Sequence, residues 1–246
     1  MNPNPAQQPV VIYGGNGFVG SNIARRIADR GGHCICVSRT GAMPVHLQRQ
    51  APDWLHHVTW LQGDAAEPDP AILQQAGAVV STVGSPPLPT FSEAAFKRQV
   101  VANGTANVVL IEAANKAGVK RLVLVNAHIP ALLQRRGFGY YVGKQQALDA
   151  ARQFAESSPG HSSAVLTPSA IYGTRHSTAG TAIPLGLFMA PIAALQSAVP
   201  APLARFLPEP WVSVDKVAAA AAELATARDI DHGAFKLVTN RQLLDR

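Results

Sequence analysis

Cysteine is nearly absent: 246 residues contain two, Cys34 and Cys36. That excludes a disulfide scaffold. Residues i and i+2 of a strand share a face and cannot bridge each other, so two buried thiols in a reducing compartment are expected. Two cysteines also supply too few ligands for a metal centre, and no metal is expected. Charge is sparse as well, at 15%, against 47% hydrophobic residues, a balance that allows a large core and opposes disorder. The N-terminal MNPNPAQQP has no basic region followed by an apolar one, so a secretory signal is not expected and a cytoplasmic setting is. Lys and Arg are scattered without a basic helix or stripe, which argues against nucleic acid despite a net charge of +6 and a pI near 9.7. A bilayer-crossing helix needs about 20 apolar residues in one piece. The most apolar stretch, 176–204, contains no Lys, Arg, Asp or Glu, but Pro184, Pro191, Pro200 and Pro202 divide it.

The chain does contain an alternation of short β-branched runs with helical stretches, the pattern of a doubly wound parallel α/β sheet in a single domain. Strands are expected at 10–13, 34–37, 58–61, 78–83, 121–125, 164–166 and 234–238. The main helices are expected at 93–117, 140–156 and 215–227, with one more directly after the first strand. Between strand and first helix lies Gly14-Gly15-Asn16-Gly17-Phe18-Val19-Gly20. A turn without Cβ atoms lets backbone N–H groups approach a pyrophosphate, at the positive end of a helix dipole. After the second strand comes Ser38-Arg39-Thr40, with no Asp or Glu between Asp29 and Asp53. A guanidinium and hydroxyls there suit the 2′-phosphate of NADP(H) rather than the bare ribose of NAD(H). Asp64 is a candidate acceptor for the adenine amino group, and equally an ordinary turn residue.

Tyr140 and Lys144 stand at i and i+4, one turn apart on one helical face. An ammonium beside a phenol favours the phenolate, so this spacing predicts a lowered tyrosine pKa and proton exchange with a carbonyl or alcohol.

Together these segments resemble the short-chain dehydrogenase/reductase superfamily, in its extended or atypical branch. The resemblance rests on GGNGFVG at 14–20, GD at 63–64, VVANGTANVVLIEAANKAGVKRLVLV at 100–125, YYVGK at 140–144, LTPSAIYG at 166–173 and WVSVDKVAAA at 211–220. Within it, the NAHIPA stretch and the apolar insert are similar to the subgroup of the NADPH-binding accessory subunit of respiratory complex I and the Rossmann protein associated with coenzyme Q biosynthesis. The resemblance implies a Rossmann fold with Gly14, Gly17, Gly20 and Arg39 on the cofactor, Asp64 at the adenine and Val83-Gly84 near the ribose. It makes Tyr140 the catalytic acid and Lys144 the ribose-binding residue, with Pro168 and Ile171 flanking the nicotinamide.

The chain also departs from that pattern. Where the family carries Ser or Thr after strand five, it reads Asn126-Ala127-His128. His128 stands in the hydroxyl's place, as a hydrogen-bond donor or as a structural histidine. The helix asparagine falls on Val101, or on Asn103 if the register slips. Thr167 replaces an Arg before Pro168. The charge-free insert, taken as 174–210 over the cleft, suits a lipophilic substrate, a membrane interface reached through 176–204, or a helix pair finishing the core. The expectation is therefore an NADP(H)-dependent oxidoreductase acting on a carbonyl or alcohol of an apolar, quinone-related substrate. Its alternatives are a non-catalytic NADPH-binding assembly factor and, behind it, a nucleotide-sugar epimerase or dehydratase.

Overall fold

A computed structural model describes residues 8–88, 91–177, 179–184, 209–227 and 234–246. Seven strands form one parallel sheet: β1 (Val10–Tyr13), β2 (Cys34–Ser38), β3 (Val58–Gln62), β4 (Ala78–Ser81), β5 (Arg121–Val125), β6 (Ser162–Thr167) and β11 (Phe235–Thr239). The order across the sheet is β3-β2-β1-β4-β5-β6-β11, a Rossmann fold whose order reverses between β1 and β4. Between β6 and β11 lie four short strands: β7 (Ile171–Tyr172), β8 (Thr174–His176), β9 (Ala182–Pro184) and β10 (Val212–Ser213). The pairs are β7 with β10, parallel, and β8 with β9, antiparallel.

Both faces of the sheet are buried because successive strand residues point to opposite sides. Val10, Ile12, Cys34 and Cys36 face one layer, packed against Ile23 and Ile27 of α1 (Phe18–Ala28). Val217 and Ala221, from the helix Val214–Thr226, share that layer. Val11, Tyr13, Ile35 and Val37 face the other layer, with Leu110 and Ile111 and with Ala147, Ala151 and Phe154. The two cysteines do share a face, and both are free; burial pushes Cys34 up to about 12 and Cys36 well above its ordinary value.

In chain order, α2 is Val45–Gln50, α3 is Pro70–Leu73, and α4 is Glu93–Val100. The helix expected at 93–117 is interrupted. A π-helical turn at Val101–Thr105 separates α4 from α5 (Ala106–Lys116). The widened turn carries Asn103 into the interior while Val101 stays exposed. Gly104 meets Gly143 of α6 (Gly139–Glu156) there: a Cβ on Gly104 would lie 2.7 Å from the Gly143 Cα. Only two glycines permit so close a crossing. α7 (Val214–Thr226) is capped by Ser213, and α8 (Asn240–Leu244) by a Thr239–Gln242 capping box. Among the described residues no helix is long and apolar enough to cross a membrane. Most of the insert, 185–208 and residue 178, lies outside the described residues, and with it the expected cover over the cleft.

Candidate active site

The glycine turn leaves β1 at the point where the strand order reverses. Gly14 has φ +79°, the left-handed region, and its N–H and that of Gly15 donate to the Val37 carbonyl at 2.9 and 3.3 Å. A Cβ on Gly14 would fall 2.6 Å from Thr82 Oγ1, and one on Gly15 2.5 Å from Cys36 Cβ. A Cβ on Gly20 would run into the Gly14 carbonyl. The hydroxyl of Thr82 lies 3.1 Å from the Tyr13 carbonyl and 3.2 Å from that of Gly14, closing the turn from the β4 side. No side chain caps α1 at Gly17, and its first turn holds no acid. Among the described residues the first-turn N–H groups thus lack a side-chain partner, and the first turn itself carries no negative charge, which is the environment an anion requires. Phe18 turns toward the far wall, 3.2 Å from where a Gly173 Cβ would be, and Val19 packs on the core beneath.

Beyond the turn, Asn16 ties the loops after β1 and β2 together by donating to Thr40 Oγ1 at 3.0 Å. Ser38 is buried, and its hydroxyl oxygen accepts from the Gly41 N–H. Its carbonyl accepts from Gly41 and Gly63. Arg39 projects into solvent; its carbonyl is held by Gln62, while its guanidinium has no hydrogen bond or ion pair among the described residues. Asp64 is exposed, with one oxygen accepting from the Ala66 N–H in a local turn and the other left open. The β8–β9 hairpin reaches α2: His176 stacks on His46 with ring centroids 3.6 Å apart.

Tyr140 and Lys144, the candidate catalytic pair, are set by the Gly104–Gly143 crossing. Lys144 is buried as a residue, and no hydrogen bond from its Nζ is seen among the described residues, although the Nζ itself is not one of the fully enclosed unpartnered atoms. Desolvation pulls its pKa down to about 8. A Cβ on Gly84 would lie 3.2 Å from this Nζ and 2.9 Å from Asn103 Oδ1, so glycine there gives the ammonium and the amide room. The ring of Tyr140 lies below the same ammonium, 5.8 Å from Nζ to centroid. Burial pushes the Tyr140 hydroxyl up to about 12, opposite to the direction its spacing from Lys144 predicts. The correction has a physical cause: the dry surroundings disfavour the phenolate more than an ammonium alongside the ring favours it.

The remaining candidates sit around this pair. His128 donates its N–H to the Pro168 carbonyl at 2.7 Å, and its Nδ1 lies 3.8 Å from Glu209 Oε2, an ion pair when the imidazole is protonated. Asn126 donates from Nδ2 to the Lys144 carbonyl at 3.0 Å, leaving its Oδ1 buried without a partner. Val83 is partly buried, its carbonyl accepting from Asn107. Pro168 is buried and Ile171 lies in β7, on a loop pinned from the C-terminal end. Asn240 Oδ1 accepts from the Ser169 N–H at 2.9 Å, and its Nδ2 donates to the Pro210 carbonyl at 2.8 Å.

Sequence reasoning missed Asn240, Thr82 and the network beneath Gly84. In that network Asn103 donates to Ser85 Oγ at 2.9 Å and to Gln99, and accepts from the Ser85 N–H at 3.0 Å. Of the two positions considered for the helix asparagine, Val101 is exposed, and Asn103 is the one turned into this network. Its proximity in sequence was the available signal; the π-helical turn that slips the register is not visible in the pattern.

The model of the NAD dependent epimerase/dehydratase family matches residues 10–220. An uncharacterized chloroplastic protein of Arabidopsis thaliana is 35% identical over 187 residues, which is 74% of this chain and 57% of that protein. The chain thus spans little more than half the length of that relative. Among solved structures, an oxidoreductase of the short chain dehydrogenase/reductase family from Burkholderia thailandensis superposes with a TM-score of 0.67 at 19% identity, covering 97% of this chain and 93% of the other. The 3-oxoacyl-[acyl-carrier protein] reductase from Brucella melitensis, in complex with NAD, gives 0.68 at 16% identity, covering 98% and 99%. These likenesses bear out the Rossmann fold, while the subgroup similar to the complex I and coenzyme Q proteins is not distinguished by them. With the family model covering all but the ends of the chain, this protein belongs to the NAD dependent epimerase/dehydratase family.

Proposed function

We infer that the protein is an NADP(H)-dependent oxidoreductase working on a carbonyl or alcohol carbon of an apolar, quinone-related small molecule. The observation that carries this reading is Lys144, a buried residue whose Nζ has no hydrogen bond among the described residues and is set against the Tyr140 ring at the sheet edge where the glycine turn lies. A dry cation without a partner is unfavourable on its own. Ribose hydroxyls of a dinucleotide seated on the glycine turn would supply the missing acceptors. Gly14, Gly17 and Gly20 would hold the pyrophosphate, Arg39 and Thr40 the 2′-phosphate, and Asp64 the adenine.

Bound NADP(H) supplies or accepts the hydride. The residues of this chain manage the proton. With its hydroxyl held up near pKa 12 by burial, Tyr140 remains protonated at neutral pH and acts as donor to a carbonyl oxygen. Lys144 binds and orients beside it. Tyr140→Phe is expected to abolish turnover while NADPH affinity stays within a few-fold; undiminished turnover with a quinone or aldehyde acceptor would refute the role.

A second reading, a non-catalytic NADPH-binding assembly factor, draws on the end of β5. No hydroxyl stands in Asn126-Ala127-His128, and His128 Nδ1 lies 3.8 Å from Glu209 Oε2. A nucleotide-sugar epimerase or dehydratase agrees with the family's description but finds no Lys or Arg in 176–204 to bind a diphosphate.

A further inference from the structure

In a parallel sheet every strand releases its chain at the same edge, so the segments after β4 and β5, which are neighbours, emerge side by side. Both segments begin in the candidate site. The first starts at Gly84 and Ser85 beside Lys144 and Asn103, and the second runs from Asn126 into Gly139 and Tyr140. They converge again where Gly139 meets Phe96 and Gln99 of α4: a Cβ on Gly139 would lie 2.6 Å from the Phe96 carbonyl.

Between those anchors both segments carry large apolar side chains outward. Phe91 is 94% exposed and Leu88 57%, from the first; Leu132 is 73% and Leu133 46%, from the second. Single exposed hydrophobics are ordinary, but four on two segments that leave neighbouring strands concentrate apolar surface on one edge of the sheet. Each segment carries a local backbone hydrogen bond among its described residues. Pro86 accepts from the Leu88 N–H, and Pro130 from the Leu133 N–H, both at 2.8 Å. Within the two segments the formal charge has one sign, the one acid recorded against them being Glu209, 3.8 Å from His128 Nδ1 near the start of the second. Arg135 and Arg136 are exposed directly after the leucines, and Arg135 Nε donates to the Leu132 carbonyl at 2.9 Å, which keeps a cation at the apolar tip. No Asp or Glu occurs in 84–92 or 126–138. The nearest following acid, Glu93, is already paired with Lys97 at 2.6 Å.

We propose that this double loop docks the protein on an anionic lipid surface, with Phe91, Leu88, Leu132 and Leu133 entering the interface and Arg135 and Arg136 on the headgroups. Apolar tips flanked by cations are complementary to such a surface. Symmetric pairing of two copies through the patch would instead bring the arginines of both chains together. The docked orientation turns the edge carrying Tyr140 toward the lipid, so an apolar substrate enters from the membrane side. Docking requires no assumption about turnover.

The test is flotation of the purified full chain with vesicles of phosphatidylcholine alone or with phosphatidylglycerol added, with NADPH binding measured on every sample. The wild type is expected to float with the anionic vesicles, weakly with the neutral ones, and less as salt is raised. Arg135→Ala with Arg136→Ala is expected to weaken binding on the order of fivefold per arginine, from about 1 kcal/mol each. Phe91→Ser with Leu132→Ser should abolish it. NADPH binding should stay unchanged in these variants, since none of these residues lies in the nucleotide site, and this also reports that they fold. Wild type that stays with the soluble fraction, or variants that float as the wild type does, would overturn the proposal. So would variants that change only the oligomeric state in sedimentation, which would mark the patch as a contact between copies. Lost NADPH binding in the wild type would strike the oxidoreductase reading and leave docking standing.

Discussion

Replacing Lys144 by methionine exchanges a buried, unpartnered ammonium for an apolar side chain of similar length. The folded state holds the Lys144 pKa near 8, against an ordinary value of 10.5. That difference of about 2.5 units corresponds to about 3 kcal/mol of penalty for keeping the charge, at 1.36 kcal/mol per unit. Below pH 8 the lysine is protonated in both the folded and unfolded states, and the whole penalty applies. Between pH 8 and 10.5 the unfolded chain binds more protons than the folded one, so this residue's contribution to stability rises with pH. The penalty therefore shrinks to about 1 kcal/mol at pH 10. Burial of Tyr140 and Cys34 acts with the opposite sign, because folded pKa values raised to about 12 favour the protonated folded state as pH climbs past their ordinary values. Comparing wild type with Lys144→Met at each pH largely cancels those terms. Urea unfolding of the nucleotide-free proteins should show the variant more stable by about 3 kcal/mol at pH 7, and the gap closing toward pH 10. NADPH affinity should fall in the same variant. A variant no more stable than wild type at pH 7, or a gap unchanged by pH, would mean that the ammonium is neither dry nor unpaired, and the argument that it awaits a ligand would fail.

Two further outcomes bear on the glycine turn and the adenosine end. Arg39→Ala should weaken NADPH binding roughly tenfold while leaving NADH unaffected, the magnitude being that of an exposed charge-assisted contact of about 1–2 kcal/mol; parallel fluorescence titrations of the two nucleotides check it, and equal losses would remove the 2′-phosphate assignment. Gly15→Ala places a methyl 2.5 Å from Cys36 Cβ and 2.8 Å from its Cα, so it should destabilise the fold by about 1–3 kcal/mol as overpacking does. Thermal unfolding reads that loss, and Cys36→Gly in the same chain should recover part of it by vacating the space.

The parts of this fold that were legible in the sequence are those whose cause is local. The strand–glycine turn–helix unit at 10–28 follows from apolar period and missing Cβ atoms within one segment. The Tyr140–Lys144 pair follows from helical spacing alone, and the structure does set the ammonium beside the ring. The direction of the Tyr140 pKa was not legible, because desolvation is set by everything packed around the ring and not by its neighbour four residues on. The same holds for Asn240, which pins the Pro168 loop across 71 residues of sequence. The short elements α2, α3 and the β8–β9 hairpin lack enough residues to show any period.

The interruption at Val101–Thr105 shows most clearly how local pattern and tertiary contact divide the work. Residues 93–117 read as one amphipathic helix, and each half is one. What the pattern omits is that an uninterrupted α-helix would keep its register past Asn103, whereas the widened turn sends that amide inward to Ser85 and Gln99. The turn is supported from outside the segment, by Gly143 lying against Gly104 so closely that neither can carry a Cβ. That contact in turn sets Lys144, the next residue of α6, against Gly84. Three glycines on three elements thus converge to hold one lysine and one asparagine at the end of β4. An alanine at Gly104 would press on the Gly143 backbone and misplace both side chains without touching either of them, whereas one at Gly143 would also press on the Asn103 Cβ, 3.0 Å away.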